Sequence, residues 1–507
     1  MKQNNRFKLS ALAIATAMAC SPAAFATNGY FLHGIGTKSD GMGGVGIALP
    51  QDALAAAINP AGMSWAGSRA DAGISFFSPK RDGELDATGM GGADSKMNSG
   101  ATLFMVPNAG FAMDMAGMTM GFAMYGNGGM NTRYNGNIYN SSLAPAIGCT
   151  DSAAICGSSP SGFAALLDGF VTNFYGGSSA ADIDPVLGGL YTNPRLSPST
   201  TLGVNLAQLI LAPSVSMKMG DNNSVGVSLL LGYQRFRAYG LDLFSALSTD
   251  SSHLTNKGDD DAWGTGLRLG WTGKVTNSLT LGAAASSKIY MQKFSEYKGL
   301  FADKGGFDIP ANFSLGLAFT PNDQLTLAFD VERILYSGVA SIHNPGPTAD
   351  QLYAGLTQML TSGTGSALIT CGNLPVAVDC KYLGNKDGYG FGWDSQTVYK
   401  LGAAYKYNDQ WTMRAGFNYG KTPIKDSQNL FNIIAPGVVE KHGTLGFTYS
   451  PDKSNEISVG YTHAFRKDQH VTYAPSSAGS FGGLGLSYDA NIGMSQNTVE
   501  VSYGIKF

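Results

Sequence analysis

The fold is decided by ten residues at the end of the sequence, Thr498-Val499-Glu500-Val501-Ser502-Tyr503-Gly504-Ile505-Lys506-Phe507. Every second residue is apolar, and the residues between are polar or glycine. In a β-strand this period of two separates an apolar face from a polar face. A strand with one face for lipid and one for an aqueous interior is typical of a transmembrane β-barrel. A soluble sandwich can also end on such a strand, although a terminal Phe507 would then be a coincidence.

Residues 1–26 have the features of an export signal peptide. Three basic residues lie near the start, Lys2, Arg6 and Lys8. The apolar stretch Leu9–Ala19 and the small-x-small sequence Ala24-Phe25-Ala26 follow, which predicts Thr27 as the first mature residue. About 11 apolar residues are too few for a membrane-spanning helix, which needs roughly 20. Lipidation at Cys20 is the alternative, but the residues before it make a poor lipobox.

Composition agrees with an exported barrel and indicates no cofactor. Charged residues are 14% of the chain, aromatic residues 11%, and glycine occurs 68 times. Without the three basic residues of the signal peptide, the formal net charge changes from −3 to −6, and this mild acidity gives no hint of nucleic-acid binding. Besides Cys20, four cysteines form two local pairs, Cys149 with Cys156 and Cys371 with Cys380. In an oxidising compartment these pairs predict two disulfides. A zinc site is disfavoured because neither pair has CxxC spacing or nearby histidines.

Alternating segments separated by turn residues predict fourteen strands. They are expected near 68–78, 101–114, 117–126, 204–219, 223–238, 261–275, 278–291, 309–320, 323–333, 395–407, 410–420, 438–450, 455–465 and 496–507. Short and long connections alternate strictly, as periplasmic turns and extracellular loops do in outer-membrane barrels. The two longest loops, about 127–203 and 334–394, contain the cysteine pairs and two helix-like apolar stretches, 163–171 and 352–360. They either cover the barrel mouth or help to capture a ligand.

The alternation also predicts which side chains face the lumen. In the segment 278–291 the predicted lipid-facing residues are Leu279, Leu281, Ala283, Ala285, Ile289 and Met291. A lysine or arginine facing lipid costs roughly 2–4 kcal/mol at the midplane, so charged residues are expected inside. The predicted lumen charges are Arg268, Lys288, Asp330, Glu332, Lys400, Arg414 and Glu500. They either pair with one another, or one of the cations Arg268, Lys288 and Arg414 binds a substrate carboxylate.

Residues 27–67, between the signal peptide and the first strand, lack barrel alternation. This stretch is rich in glycine and alanine and contains Asn59-Pro60-Ala61. An exposed linker is one interpretation, but the apolar content favours a compact plug in the lumen. Asn59-Pro60-Ala61 resembles the hatch motif of the FadL/TodX family of outer-membrane transporters. Further similarity lies in Leu325–Asp330, Trp393–Ser395, Arg414–Gly416 and Lys421–Pro423, and in the terminal strand.

The resemblance implies an all-β, 14-stranded antiparallel transmembrane barrel whose lumen is plugged by an N-terminal hatch, residues 27–67, with the barrel at 68–507. It also implies that extracellular loops capture hydrophobic compounds and that these leave sideways into the membrane at a kink in the third strand. The glycines Gly126, Gly128 and Gly129 could form that kink, or they could simply begin a flexible loop.

The function expected from these features is passive transport of long-chain fatty acids or aromatic and aliphatic hydrocarbons across the outer membrane of a Gram-negative bacterium. Outer-membrane lipid and lipopolysaccharide are the expected surroundings of a monomer, with no nucleic acid, cofactor or metal. An enzyme such as a lipase would need a positioned Ser/His pair, and none of the six histidines lies in a recognisable nucleophile motif. A structural or adhesin-type barrel is the alternative, but it would have no use for a hatch.

Overall fold

The computed structural model describes residues 28–90, 92–143, 199–348, 381–473 and 487–507 of the chain. Several predictions lie outside these ranges: the signal peptide 1–26, Cys149, Cys156, Cys371, Cys380, and the helix-like stretches 163–171 and 352–360. They remain predictions.

In the described part of the chain, fourteen antiparallel strands form one closed barrel, which confirms the predicted all-β barrel and its strand count. The strands are β1 (Arg69–Asp86), β2 (Phe104–Met115), β3 (Met118–Asn131), β4 (Gly203–Met219), β5 (Asn223–Tyr239), β6 (Asp260–Lys274), β7 (Leu279–Ser286), β8 (Asn312–Phe319), β9 (Leu325–Ile334), β10 (Gln396–Lys406), β11 (Trp411–Gly420), β12 (Lys441–Tyr449), β13 (Asn455–Tyr473) and β14 (Tyr488–Lys506). Each strand pairs with the next along the chain, and β14 pairs with β1 from Lys506↔Arg69 to Asp489↔Asp86. Two short strands, Asp94–Asn98 and Tyr290–Met291, pair with β1 and β6.

The helices of the described residues are all short. The α-helices are Thr37–Asp40, Ala55–Ile58, Met63–Ala66, Ile138–Leu143, Ala302–Gly305, Ala340–His343 and Asn429–Asn432. The 3-10 helices are Pro60–Gly62, Thr88–Met90, Asp242–Leu247, Ser251–His253, Tyr336–Gly338 and Asp426–Gln428. Among the residues described, no helix has the length and apolar character needed to cross a membrane.

The two faces of the wall differ as the period of two predicts. Large apolar side chains of alternate residues point outward and are exposed, for example Leu315 at 62% and Trp263 at 53%. The residues between them are buried inside the barrel and include Arg268, Asp330, Lys400 and Glu500. Apolar surface toward lipid and polar surface toward the interior is the arrangement that a bilayer selects.

The prediction for the end of the segment 278–291 was wrong. Strand β7 ends at Ser286, and Ile289, expected to face lipid, is only 2% exposed. Met291 is partly buried and packs against the buried hydrophobic cluster that contains Ile289. After Ser286 the chain leaves the β7–β8 ladder, and Ile289 pairs with Ile309 instead. Because this departure breaks the alternation, side chains beyond it face the other way.

Several strands are longer than predicted at the extracellular end. Strand β1 continues to Asp86, β3 to Asn131 and β13 to Tyr473, while β14 begins at Tyr488. Much of the stretch 466–495, expected to be a loop, is therefore strand. These extensions carry polar residues on both faces because they lie beyond the apolar layer, where no lipid enforces alternation. Hydrophobic periodicity cannot reveal such strands.

Candidate functional site

The N-terminal segment, residues 28–67, lies inside the ring of strands and is almost entirely buried. Its helix Thr37–Asp40 contacts β12, β13 and β14, whereas Ala55–Ile58 contacts β3 and β4. The 3-10 helix Pro60–Gly62 contacts β4, β5 and β6. The segment therefore touches strands far apart in the ring, which is possible only from the lumen.

Inward-facing glycines of the wall make room for this segment. A Cβ atom added at Gly226 would lie 2.5 Å from the carbonyl carbon of Pro60, and one at Gly282 would lie 2.3 Å from the Ile47 oxygen. The same holds for further wall glycines, with added Cβ atoms within 3 Å of the segment at Gly110, Gly121, Gly270, Gly316, Gly402 and Gly416. The backbone of the segment thus rests directly on the backbone of the wall.

Asn59 fixes the Asn59-Pro60-Ala61 motif to the wall. Its side-chain nitrogen donates to the Ile47 oxygen at 2.8 Å and to the Trp271 oxygen at 3.0 Å. Its side-chain oxygen accepts from the Ala61 nitrogen at 3.2 Å and so caps the following 3-10 helix, where Pro60 occupies the first turn. An aspartate could not donate to the two carbonyls, which explains why this position needs an amide.

Buried charges hold the middle of the segment. Lys38 and Arg69 both contact the Glu456 carboxylate, and Arg69 also binds Asp71 at 2.7 Å. Asp330 of β9 accepts from the Gly46 nitrogen at 2.7 Å and the Ile47 nitrogen at 3.0 Å. Buried, charge-assisted contacts are strong when every group is paired. This part of the segment is therefore tied to the wall on several sides.

The wall has a window between β2 and β3. The two strands pair from Met115↔Met118 to Ala109↔Met124. Beyond Met124, among the described residues, no ladder joins residues 104–108 of β2 to residues 125–131 of β3. Residues 104–108 remain paired with β1, and residues 125–131 remain paired with β4. The two regions meet again at Ser99↔Tyr134. The unpaired edge of β3 extends for about 20 Å.

A β-bulge lies on the β3 edge of this window, in the glycine stretch predicted to kink. The register with β4 shifts between Gly126 and Gly128, so Asn127 is an extra residue. Its side chain turns to Gln208 and donates at 3.0 Å. A bulge bends its strand and ends regular pairing on the free edge. The extra residue is Asn127, and two of the three glycines considered for a kink, Gly126 and Gly128, flank it.

The N-terminal strip, residues 28–33, lies along the open edge of β3. Phe31 forms a β-bridge with Gly128, the Leu32 nitrogen donates to the Asn127 oxygen at 3.2 Å, and the Gly129 nitrogen donates to the Tyr30 oxygen at 3.2 Å. A Cβ atom on Gly128 would lie 1.8 Å from the Tyr30 oxygen, so glycine is required for this close approach. The strip takes the place of the missing neighbour strand.

Aromatic side chains cover the strip from the loop side. The Tyr30 ring lies 5.5 Å from Tyr336, 6.0 Å from Trp393 and 6.2 Å from Phe307, measured between ring centres. The Tyr336 hydroxyl donates to the Asn28 oxygen and accepts from the Tyr30 nitrogen at 3.3 Å. Sequence reasoning did not find these residues, because their partners lie about 300 positions away in the chain.

Two small cavities adjoin the strip and share Leu32, Ile35 and Tyr125 in their linings. The larger has about 60 Å³ and is also lined by the wall charges Arg268, Asp330, Glu332 and Lys400. The smaller has about 20 Å³ and lies at the window, where Val106, Asn108 and Gly126 form part of its lining. Leu32, Ile35 and Tyr125 therefore lie between a cavity lined by wall charges and a cavity at the window.

The three predicted carboxylate-binding cations occupy different places. Arg268 lines the larger cavity, is 7% exposed, and has no hydrogen-bond partner at Nη1 within the described part of the chain, although Nε donates to Ser286 at 2.6 Å. Arg414 is engaged with Gln51 at 3.0 Å and lines neither cavity. Lys288 lies past the end of β7 and donates to the Gly338 oxygen at 2.7 Å.

One Ser/His/Asp group lies near the outer rim. Ser252 and Asp250 both lie 2.9 Å from Nδ1 of His253. A catalytic triad needs the serine and the aspartate on opposite ring nitrogens. Here Ser252 and Asp250 share the same ring nitrogen and lie within four consecutive residues, so this group is a polar turn and not a catalytic triad. Among the described residues, no three His, Cys, Asp or Glu side chains cluster as a metal site would require.

Comparison with known proteins shows which family the chain belongs to. The family model described as "Outer membrane protein transport protein (OMPP1/FadL/TodX)" matches residues 191–503, more than half of the chain. The chain belongs to this family. OMPP1/FadL/TodX proteins are outer-membrane transport proteins, so the predicted family and outer-membrane location are confirmed. No curated protein matches the chain by sequence.

Solved structures of OMPP1/FadL/TodX proteins share the fold. The Pseudomonas putida toluene transporter TodX is 17% identical, with a TM-score of 0.56 over 94% of this chain and 99% of TodX. A Pseudomonas aeruginosa FadL homologue is 16% identical, with a TM-score of 0.57 over 94% of this chain and 100% of the homologue. The Ralstonia pickettii toluene transporter TbuX is 18% identical, with a TM-score of 0.53 over 94% and 99%. At these identities the likeness concerns the fold.

Proposed function

We propose that this OMPP1/FadL/TodX protein carries hydrophobic compounds across the outer membrane and releases them sideways through the window between β2 and β3. The window is the observation that carries the proposal. An apolar solute gains free energy in proportion to the surface that it removes from water, so a route into the bilayer core is favourable without an energy source. No catalytic step is part of this route.

The N-terminal segment acts as a hatch over residues 27–67. Its burial and its seat on wall glycines support this role, since the segment occupies the space that an aqueous pore would need. The buried Lys38–Glu456–Arg69 contacts tie its middle part to the wall. Among the described residues, the strip 28–33 has no ion pair to β3: backbone hydrogen bonds hold it to that strand, and the aromatic side chains of Tyr336 and Trp393 cover it, so we infer that this is the part that moves.

Neither of the two cavities beside the strip has room for cargo. A cavity of about 150 Å³ is known to bind benzene, whereas the two cavities here have about 60 and 20 Å³. Passage therefore requires displacement of the strip and of the residues that follow it, because Leu32 of the strip and Ile35 beyond it line both cavities. Moving these residues would join the two cavities and expose the free edge of β3.

Arg268 is the best candidate for a cargo carboxylate among the three predicted cations. It is buried beside the larger cavity, and its Nη1 donor is unused within the described chain. A buried unsatisfied donor costs free energy that an incoming carboxylate would recover. This supports fatty acids as one cargo class, while hydrocarbons need no such partner.

The lipid-facing surface fits a monomer surrounded by lipid and lipopolysaccharide. The ring closes on itself through β1 and β14, so the lumen is complete within one chain. Outward-facing Tyr233 and Trp263, with ring centres 4.9 Å apart, suit the membrane interface. Arg235 and Arg237 follow Tyr233 on the same outward face of β5, and cations there suit the phosphates of lipopolysaccharide.

A disulfide latch tests the proposed route. Leu32 and Asn127 are neighbours in the short antiparallel pairing of the strip with β3, so Leu32→Cys with Asn127→Cys should form a disulfide. We expect oxidation to abolish uptake of a hydrophobic probe such as toluene and reduction to restore it. Ser214→Cys with Ser228→Cys, facing residues of β4 and β5, is the matched control and should transport in both states.

Full uptake by the oxidised Leu32/Asn127 latch would refute release through this window. A structural or adhesin-type barrel, the alternative function, would show no uptake above that of a deletion strain in any of these variants.

A further inference from the structure

Two carboxyl groups line the cavity at the window. Asp40 comes from the N-terminal segment and Glu500 from β14, and both border the space of about 20 Å³ together with Leu32, Val106 and Tyr125. A passage for apolar cargo would be expected to be apolar throughout. These acids are therefore the feature of the window that hydrophobicity does not explain.

Glu500 is 1% exposed and is held as a hydrogen-bond acceptor. Its Oε1 accepts from the Thr37 hydroxyl at 2.9 Å and from the Asn108 side chain at 2.7 Å. Asp40 interacts with Glu500, and its Oδ1 lies 3.5 Å from Nε2 of His33. Two buried carboxyl groups thus meet beside a cavity that cargo would have to pass.

The groups around this pair disfavour charge on Asp40 and supply little positive charge. Burial, and then the neighbouring Glu500, raise the pKa of Asp40 well above its ordinary value, because a second negative charge beside Glu500 is unfavourable. Burial, and then Lys400, lower the pKa of His33 to about 4, so His33 is neutral at pH 7. Lys400 itself binds Glu332 at 2.8 Å.

We infer that Asp40 and Glu500 make the window selective for uncharged cargo. A carboxylate entering the window would meet a fixed negative charge in a low-dielectric space, whereas a neutral solute of the same length would not. A carboxylic acid held at Arg268 would then cross the window only in its protonated form. This inference rests on the proposed exit through the window.

The inference is tested by measuring the uptake of 1-decanol and decanoate at pH 7.5 in cells that produce the full chain. These two probes have the same chain length and differ in charge. The variant Asp40→Asn with Glu500→Gln removes the charge while keeping the shapes and the acceptor for Thr37 and Asn108. We expect decanoate uptake to rise by at least about tenfold relative to decanol. Asp114→Asn, at the periplasmic end of β2, removes one charge away from the window and should leave the ratio unchanged.

Each outcome decides between two explanations. An unchanged ratio in a variant that still transports decanol would overturn the charge selectivity and leave the route intact. Transport of both probes through the oxidised Leu32/Asn127 latch would instead refute the route itself. If the double variant does not fold, as judged by heat-modifiable migration of the barrel in gels, Glu500→Gln alone should raise the ratio in the same direction, because Asp40 is the acid whose pKa burial raises.

Discussion

Replacing Gly270 with alanine should unseat the Asn59-Pro60-Ala61 motif without unfolding the barrel. The added Cβ atom would lie 2.0 Å from the side-chain oxygen of Asn59 and 2.9 Å from Cδ of Pro60. Since ordinary contacts are 3.4–4 Å, the motif has to move away from the wall by at least about 1 Å. That movement breaks the hydrogen bond from Asn59 to the Trp271 oxygen.

The free-energy cost of Gly270→Ala has two parts, the overpacking at the wall and the lost hydrogen bond of Asn59. Overpacking costs about 1–3 kcal/mol, and the lost hydrogen bond about 1 kcal/mol. A cost of about 2–4 kcal/mol would raise the ratio of unseated to seated segment by about 30- to 1,000-fold. The strand itself should be unaffected, because alanine is no worse than glycine in a strand interior.

Ion conductance of the purified protein in planar bilayers measures the seating. Wild-type protein should be nearly silent, and Gly270→Ala should show frequent openings while its barrel still migrates as folded in gels. Gly443→Ala of β12 is the matched control, since its added Cβ would meet nothing closer than Phe465 at 3.6 Å. Conductance of Gly270→Ala equal to that of wild type would refute the claim that this glycine seats the segment.

Three further substitutions have defined outcomes. Gly128→Ala places a Cβ atom 1.8 Å from the Tyr30 oxygen, so the strip should detach from β3. A cysteine-reactive dye should then label a Tyr30→Cys reporter faster, and unchanged labelling would contradict the close fit of the strip to the bulge. Arg268→Gln should raise the apparent KM for decanoate uptake by about 10- to 150-fold and leave decanol uptake alone, and an equal effect on both would indicate a structural role. Arg466→Ala removes a bidentate contact, at 2.6 and 2.8 Å, that runs from β13 past β14 to Asp82 of β1. Because the Arg466 side chain is 42% exposed, the variant should lose less than about 1 kcal/mol of stability to heat, and a larger loss would show that this contact helps to hold the barrel closed.

Sequence alone predicted the barrel because a bilayer imposes its rule on every strand. The alternation from Val499 to Phe507 occurs again in thirteen other segments, and each side chain had to satisfy either lipid or lumen. Where that rule ends, prediction failed: the polar extensions of β13 and β14 were taken for loop, and Ile289 was assigned to lipid although β7 stops at Ser286. The glycines around Asn127 left a kink and a loop start equally open, and the register shift at Asn127 depends on pairing with β4.

The parts of the site were decided by tertiary structure. Arg268, Lys288 and Arg414 were equivalent in sequence, and only the course of the N-terminal segment left Arg268 beside the larger cavity with an unused donor. Asp40 and Glu500 are 460 positions apart and come together because barrel closure brings β14 next to β1 and the segment lies inside. Alternation is a local property of each strand and can be read along the chain, whereas the window, the strip and the acid pair depend on contacts between distant strands and a segment with no period of its own.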